Sequence, residues 1–207
     1  MMLVVMIPLV YVKKISSLMQ YFILGVIVWS FYGVIGLNDF DIFDENNLLE
    51  NTQAFVLMFV FFLFLLPLFD PLRGDRLIAV FFAILTLAFL LRELDIEKFD
   101  LPKILILLGS GNGRNILLAS GFLSTLGFAL FKFRYYLDLA RCFLRNRTGF
   151  VTLTAGLFLI VGDMFEKIDV PYHVLYEESL ELLGYAFLLS AAARLSRREV
   201  KTSRFID

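Results

Sequence analysis

The chain has 207 residues, 59% of them apolar, a formal net charge of −1 and a mean hydropathy of +0.80. Soluble domains average about 45–50% apolar residues, so these values exclude an ordinary soluble domain and favour a multi-pass membrane protein. The single cysteine, Cys142, excludes an internal disulfide and a cysteine metal motif. The single histidine, His173, excludes bis-histidine haem ligation and a three-histidine zinc site within one chain.

Six apolar segments predict an all-α fold, namely a polytopic membrane protein with six transmembrane helices in one bundle. Residues 1–207 are predicted to form a single domain. The predicted spans are residues 15–37, 51–69, 77–95, 114–131, 149–167 and 174–193.

Three further segments are predicted from their composition. Residues 1–12 are too short to cross a hydrocarbon core of about 30 Å, so we expect an interfacial helix or an extension of the first span. They lack the basic start and the small-residue cleavage pattern of a cleaved signal peptide. The glycines of residues 109–113 are expected to break helix before the fourth span. Residues 132–147 are rich in arginine and lysine, which predicts a basic cytoplasmic loop with a helix lying at the membrane surface.

The charged residues predict the orientation. When both termini are placed in the cytoplasm, most of the 19 lysine and arginine residues lie on the cytoplasmic side and most of the 20 carboxylates lie outside. One topology therefore accounts for both signs of charge. The N and C termini are predicted to be cytoplasmic.

The sixth predicted span carries three glutamates within an apolar segment. On a helix, His173, Glu177 and Glu181 recur every four residues, and Gly184 continues the same face, which predicts a packed face. The opposite face is expected to be lipid-facing or buried in apolar contacts, with the Ser179 hydroxyl bonded to the preceding turn.

Polar residues of several spans are predicted to lie at one depth, near the outer surface. Exposed to lipid, each ionised group would cost several kcal/mol, so we expect them to face one another across a recess that water can enter. The carboxylates predicted there are Glu50, Glu93, Asp95, Asp163, Glu166, Glu177, Glu178 and Glu181, and the bases are Arg92, Arg114 and Lys167. With more acids than bases, the surplus acids would be hydrated, protonated or neutralised by a bound cation. A structural salt-bridge network with solvated acids at the rim is the alternative reading.

The spacing of His173, Glu177 and Glu181 suits metal ligation, with Asp163, Glu166, Glu93 or Asp95 completing the coordination. Oxygen ligands favour Ca, Mg or Mn, and one histidine among carboxylates also admits Zn or iron. A solvated or helix-cap role is the competing prediction for His173. The side chains predicted to contact a substrate or counter-ion are Arg92, Arg114, Glu178, Gln53 and Glu50. Arg92 is expected to contact a carboxylate of the fifth or sixth span, and Glu181 to point into the bundle.

The sequence favours an integral inner-membrane protein whose acidic, outward-facing recess binds a divalent cation or a lipid or cationic head group. The alternatives are a metal-assisted membrane hydrolase or transferase acting on lipid, a proton- or cation-coupled transporter, and a membrane assembly subunit. A transporter is disfavoured because the cytoplasmic halves of the spans are expected to be dry. Membrane lipids are the expected partners and nucleic acid is not, while a protein partner or a homo-oligomer stays open.

Three short motifs carry a resemblance. ENTQ at residues 50–53, RELD at 92–95 and EESLEL at 177–182 resemble those of uncharacterised bacterial polytopic inner-membrane proteins. The resemblance implies a bacterial inner-membrane location and carries no activity.

Overall fold

The computed structural model describes residues 9–37, 39, 48–70, 73–94, 96–98, 102–168 and 170–197, and within these ranges the chain is all-helical, with no strand. The helices are α1 Leu9–Phe31, continued by a π-helical turn Tyr32–Gly36, α2 Leu48–Leu65, continued by a 3₁₀ turn Leu66–Phe69, α3 Arg76–Glu93, α4 Lys103–Gly109, α5 Gly111–Phe131, α6 Phe133–Arg145, α7 Arg147–Glu166 and α8 His173–Arg197. A 3₁₀ turn, Ile96–Lys98, lies between α3 and α4.

Each of the six predicted spans falls on one long helix, namely α1, α2, α3, α5, α7 or α8. Leu9 already belongs to α1, so residues 9–12 extend the first helix, while residues 1–8 lie outside the described residues. The predicted surface segment, residues 132–147, contains the separate helix α6. The all-helical prediction is confirmed within the described ranges.

Four of these helices are long and apolar enough to cross a membrane by length and composition: Tyr11–Gly36, Leu48–Phe69, Gly111–Phe131 and Arg147–Glu166. They are typical of a membrane protein. The 18 residues of α3 include Arg76, Arg92 and Glu93, which lowers its hydropathy. In α8 the three glutamates have the same effect. These two helices carry the buried Thr86, Ser179 and Glu181.

Helix α8 lies at the centre of the bundle, packed against α1, α2 and α7. Leu175, Leu182 and Leu189 are fully buried on one side, and Glu181 and Gly184 are buried on the other. Of the two predictions for the leucine face, burial in apolar contacts is therefore the correct one.

The Ser179 hydroxyl departs from its prediction. Its Oγ is buried and has no hydrogen-bond partner within the described part of the chain, so the expected bond to the Leu175 carbonyl oxygen is absent.

Two glycines allow α7 and α8 to pack closely. A Cβ atom on Gly184 would lie 2.9 Å from the Leu159 side chain and 3.2 Å from the Ala155 carbonyl oxygen. A Cβ atom on Gly162 would lie 3.1 Å from Cγ of Glu181. The predicted small-residue packing face of α8 is thus present, and it brings the Glu181 backbone against α7.

The long helices alternate in direction and so define two ends of the bundle. At the first, which we call the Arg92 end, α1, α3 and α7 finish and α2, α5 and α8 begin. At the other, the Arg73 end, Arg73 donates to the Leu195 and Ser196 carbonyl oxygens at the end of α8 and binds Asp75 at 2.9 Å. This buried pair supplies hydrogen-bond donors to carbonyl groups that have no partner within their own helix.

The glycine-rich segment breaks helix before α5, as the sequence predicts. Helix α4 ends at Gly109, Ser110 is extended, and Gly111, with a φ of 49°, begins α5. Gly113 lies in the first turn of α5, where a Cβ atom would fall 1.7 Å from the Leu107 carbonyl oxygen. A glycine at this position therefore permits the close approach of α4 to α5.

Replacing Gly184 by valine should destabilise the bundle, because the Ala155 carbonyl oxygen is backbone and cannot move aside cheaply. We expect a loss of about 1–3 kcal/mol, the usual cost of overpacking. Gly156→Val is the matched control, since a Cβ atom there meets nothing within 4 Å. Thermal unfolding in detergent measures both variants, and equal melting temperatures would contradict the close packing.

Candidate functional site

A cavity of about 420 Å³ opens at the Arg92 end, between the start of α2, the end of α3 and the start of α5. Three acids and three bases line it: Glu50, Glu93 and Glu97, and Arg92, Lys98 and Arg114. The remaining lining comes from Leu94, Ile96, Gly109, Ser110 and Gly111. Within the described residues, the excess of acids expected from the sequence is not found in this lining.

Arg92 links the cavity to the interior of the bundle. Its guanidinium donates to Oε2 of Glu181 on α8 and lies 3.0 Å from Oε1 of Glu93 on its own helix. The Arg92 side chain is 51% exposed, whereas those of Glu93 and Glu181 are 7% and 4% exposed. The predicted contact between Arg92 and a carboxylate of the sixth span is present, and Glu181 points into the bundle as expected.

Tyr185 completes this group of side chains. It is fully buried one turn after Glu181 on α8, and its hydroxyl donates to Oε1 of Glu93 at 3.0 Å. The sequence interpretation missed Tyr185. Tyr185 lies on the same helical face as Glu181, inside an otherwise apolar segment. Because a buried tyrosine hydroxyl generally has a hydrogen-bond partner, this position could have predicted a polar contact near Glu181.

A second polar contact joins α2 to α8. The Gln53 side-chain nitrogen donates to the carboxylate of Glu178 at 2.6 Å and to its backbone carbonyl oxygen at 3.0 Å. Gln53 is fully buried, and its Oε1 atom has no partner within the described part of the chain. If the Gln53 amide were rotated by 180°, its oxygen would face the two acceptor oxygens of Glu178. The contacts with Glu178 therefore support the present orientation of the Gln53 amide. Both residues were predicted site residues, and neither lines the cavity.

Arg114 lies at the start of α5 and lines the cavity from the side opposite α8. Its guanidinium donates to the Leu91 carbonyl oxygen at 2.9 Å, near the end of α3. This bond provides a partner for one of the carbonyl groups of the last helical turn and places positive charge near its negative dipole end. Arg114 therefore holds α3 and α5 together at the cavity.

The other predicted ligands lie apart from the cavity. His173 Nδ1 is 3.3 Å from the Val170 carbonyl oxygen, just before the start of α8. Asp163 pairs with Lys167 at the exposed end of α7. Glu166 is exposed, Glu177 is half-buried, and neither lines the cavity. Asp95 lies outside the described residues.

No three histidine, cysteine, aspartate or glutamate side chains of the described ranges lie together in a group that could hold a metal ion. Among the metal ligands named from the sequence, Glu93 and Glu181 bind Arg92, and Asp163 pairs with Lys167. The expected divalent cation stays a prediction.

The half of the bundle toward the Arg73 end also contains buried polar side chains. Gln20 of α1 donates from its side-chain nitrogen to the Ser190 hydroxyl of α8, and Ser16 of α1 is also buried. Polar contacts between helices therefore occur in both halves. Glu97, Lys98 and Ser110 are cavity residues that the sequence interpretation did not name.

No protein-family model, no curated protein and no solved structure matches the chain. The class that the helices indicate is a polytopic membrane protein, and its function has to be inferred from the site itself.

Arg92→Ala should lower stability, because it leaves Glu181 and Glu93 buried without their cationic partner. An unsatisfied buried group costs about 1–3 kcal/mol and charged groups cost more. Arg194→Ala is the control, since Arg194 is exposed on α8. Melting temperatures in detergent measure both variants. Equal values would show that the Arg92 ion pairs do not stabilise the bundle.

Proposed function

We propose that the chain is a polytopic protein of the bacterial inner membrane that binds a polar lipid head group in the Arg92 cavity. The observation that carries this proposal is the unequal burial of the ion-pair network. Glu93 and Glu181 are nearly buried and bind the Arg92 guanidinium, while about half of the Arg92 side chain stays exposed. Arg92 is therefore accessible to a ligand, as a binding arginine has to be.

The lining suits a head group that carries both charges. Arg92 and Arg114 offer guanidinium donors to a phosphate, and Glu50 and Glu97 offer carboxylates to an ammonium group. The cavity volume of about 420 Å³ is far larger than a single ion requires. Ligand pockets of about 300–1,000 Å³ are typical of small-molecule sites. A zwitterionic head group such as phosphoethanolamine therefore fits better than a bare cation.

A divalent cation, Ca, Mg, Mn or Zn, is the alternative ligand, supported by the shared helical face of Glu177 and Glu181. A metal-assisted hydrolase or transferase would need that cation. A proton- or cation-coupled transporter would need polar contacts through the bundle, and the hydrogen bond from Gln20 to Ser190 is one such contact. An assembly subunit would have the cavity filled by a partner protein. The binding experiment below separates a head group from a cation.

The proposed topology has six spans, with α3 and α8 crossing alongside the four more apolar helices. Arg92 of α3 and Glu181 of α8 support it, because they bind one another instead of facing lipid. Both termini are proposed to be cytoplasmic, since the Arg73 end is adjacent to α6 and to most of the basic residues of the chain. The cavity would then open to the outer face.

Glycerophosphoethanolamine should raise the melting temperature of the purified protein in detergent. At a hundredfold excess over its Kd, a ligand that binds only the folded state stabilises by about 2.7 kcal/mol. Glu97→Gln, which removes one cavity carboxylate from an exposed residue, should reduce the shift. Glu166→Gln is the matched control, because Glu166 is exposed outside the lining.

Magnesium, calcium, manganese and zinc salts form the second arm of this experiment. The head-group proposal is wrong if these salts raise the melting temperature, if Glu181→Gln abolishes that rise, and if glycerophosphoethanolamine has no effect. The ligand is then a cation. No shift with either class of ligand would contradict both and favour the assembly subunit.

The topology is tested by reporters fused after Asp207 and inserted near Asp44. We expect an alkaline phosphatase fusion to be inactive after Asp207 and active near Asp44, because the enzyme requires the oxidising outer compartment. The reverse pattern would place the Arg92 cavity in the cytoplasm.

A further inference from the structure

A second cavity, of about 500 Å³, lies at the Arg73 end between α3, α5 and α6, and we call it the Tyr135 pocket. It is at the opposite end of the bundle from the Arg92 cavity. The inference below is therefore independent of the proposed function.

The apolar wall of the Tyr135 pocket forms where α3 and α5 separate. Midway along the two helices, Gly121 allows close contact with Ile84, and the rings of Phe81 and Phe122 lie 5.7 Å apart. Nearer the Arg73 end, Leu77, Val80 and Phe128 line an open space between the same helices. We call the space between these three side chains the apolar slot.

The polar rim of the pocket is basic. Arg73, Arg76 and Lys132 line it, and no carboxylate of the described residues does. The buried Asp75 balances the charge of Arg73, and the exposed Lys132 adds positive charge to the rim. Arg73 and Arg76 are fixed in place by hydrogen bonds, since Nε of Arg76 donates to the Arg73 carbonyl oxygen at 3.2 Å. The rim is a preorganised site for an anion.

Aromatic side chains of α6 border the pocket. Tyr135 reaches across to the turn before α3, where its hydroxyl lies 3.4 Å from the Gly74 carbonyl oxygen, and Tyr136 packs edge-on against it with ring centroids 5.0 Å apart. Helix α6 is strongly amphipathic, with arginines on its exposed face, as expected of a helix that lies in a membrane interface. Tyrosine is enriched at that depth.

We propose that the Tyr135 pocket binds an anionic phospholipid of the adjacent leaflet, with its phosphate at Lys132 and Arg76 and an acyl chain along Leu77, Val80 and Phe128. The charge of the rim selects an anion, and the apolar slot between α3 and α5 selects a ligand with a hydrocarbon chain. A free phosphate would use only the rim. The bound lipid would also fill the gap between these two helices and hold α6 against the bundle.

Native mass spectrometry of the full chain tests this proposal, with phosphatidylglycerol and phosphatidylcholine as competing lipids. The wild-type protein should retain phosphatidylglycerol preferentially. Lys132→Gln should reduce that retention about fivefold, the equivalent of about 1 kcal/mol for one basic residue near a membrane surface. Arg134→Gln is the matched control, because Arg134 is an exposed neighbour that does not line the pocket. Circular dichroism verifies that each variant is folded.

Val80→Phe fills the apolar slot without changing charge, and it should also reduce retention of the lipid. Equal loss in Lys132→Gln and Arg134→Gln would indicate attraction to the basic surface in general and overturn the proposal. Equal retention of both lipids by the wild-type protein would overturn it too. Displacement of the lipid by millimolar inorganic phosphate would identify a free-phosphate site and reject the lipid.

Discussion

Two carboxylates buried inside an apolar bundle are the constraint on which the Arg92 end depends. Glu93 and Glu181 would each be costly there if ionised and unpaired, and Arg92 is their shared cationic partner. Because the two acids lie on different helices, one guanidinium fixes the height of α3 relative to α8. Tyr185 adds a donor to the same carboxylate as Arg92. These contacts also fix the position of the cavity, because the exposed side of Arg92 forms part of its wall.

The composition of the helices varies with their surroundings. Helix α8 carries three glutamates and several small residues and is the central helix, whereas α5 has almost no buried residues and is apolar along most of its length. This is the arrangement that a bilayer requires, because a helix facing lipid needs an apolar surface and a helix enclosed by others needs close packing and satisfied polar groups. Low hydropathy in α3 and α8 therefore accompanies contact with other helices.

Much of the helical architecture could be predicted, because helix length and apolar composition are local properties of the sequence. The contact of Arg92 with the sixth span was also predictable, since few bases share the depth of Glu181. The partners of the other acids were not. Glu178 binds Gln53 and Asp163 binds Lys167, choices that depend on the rotation of each helix about its axis. The break between α4 and α5 was predictable from its glycines, whereas the approach of Gly113 to the Leu107 carbonyl oxygen was not, because the sequence does not display helix packing.

The order of the elements along the chain has a consequence for assembly. Helix α8 follows the polar partners that the structure describes for its glutamates, so Gln53 and Arg92 are synthesised before Glu178 and Glu181 leave the ribosome. Only a short segment separates α8 from α7, and Gly162 and Gly184 allow the two to pack tightly. An α7–α8 hairpin that enters the bilayer as a unit would bring its glutamates into a groove whose hydrogen-bond donors are already present, which removes much of the cost of inserting charged side chains one helix at a time.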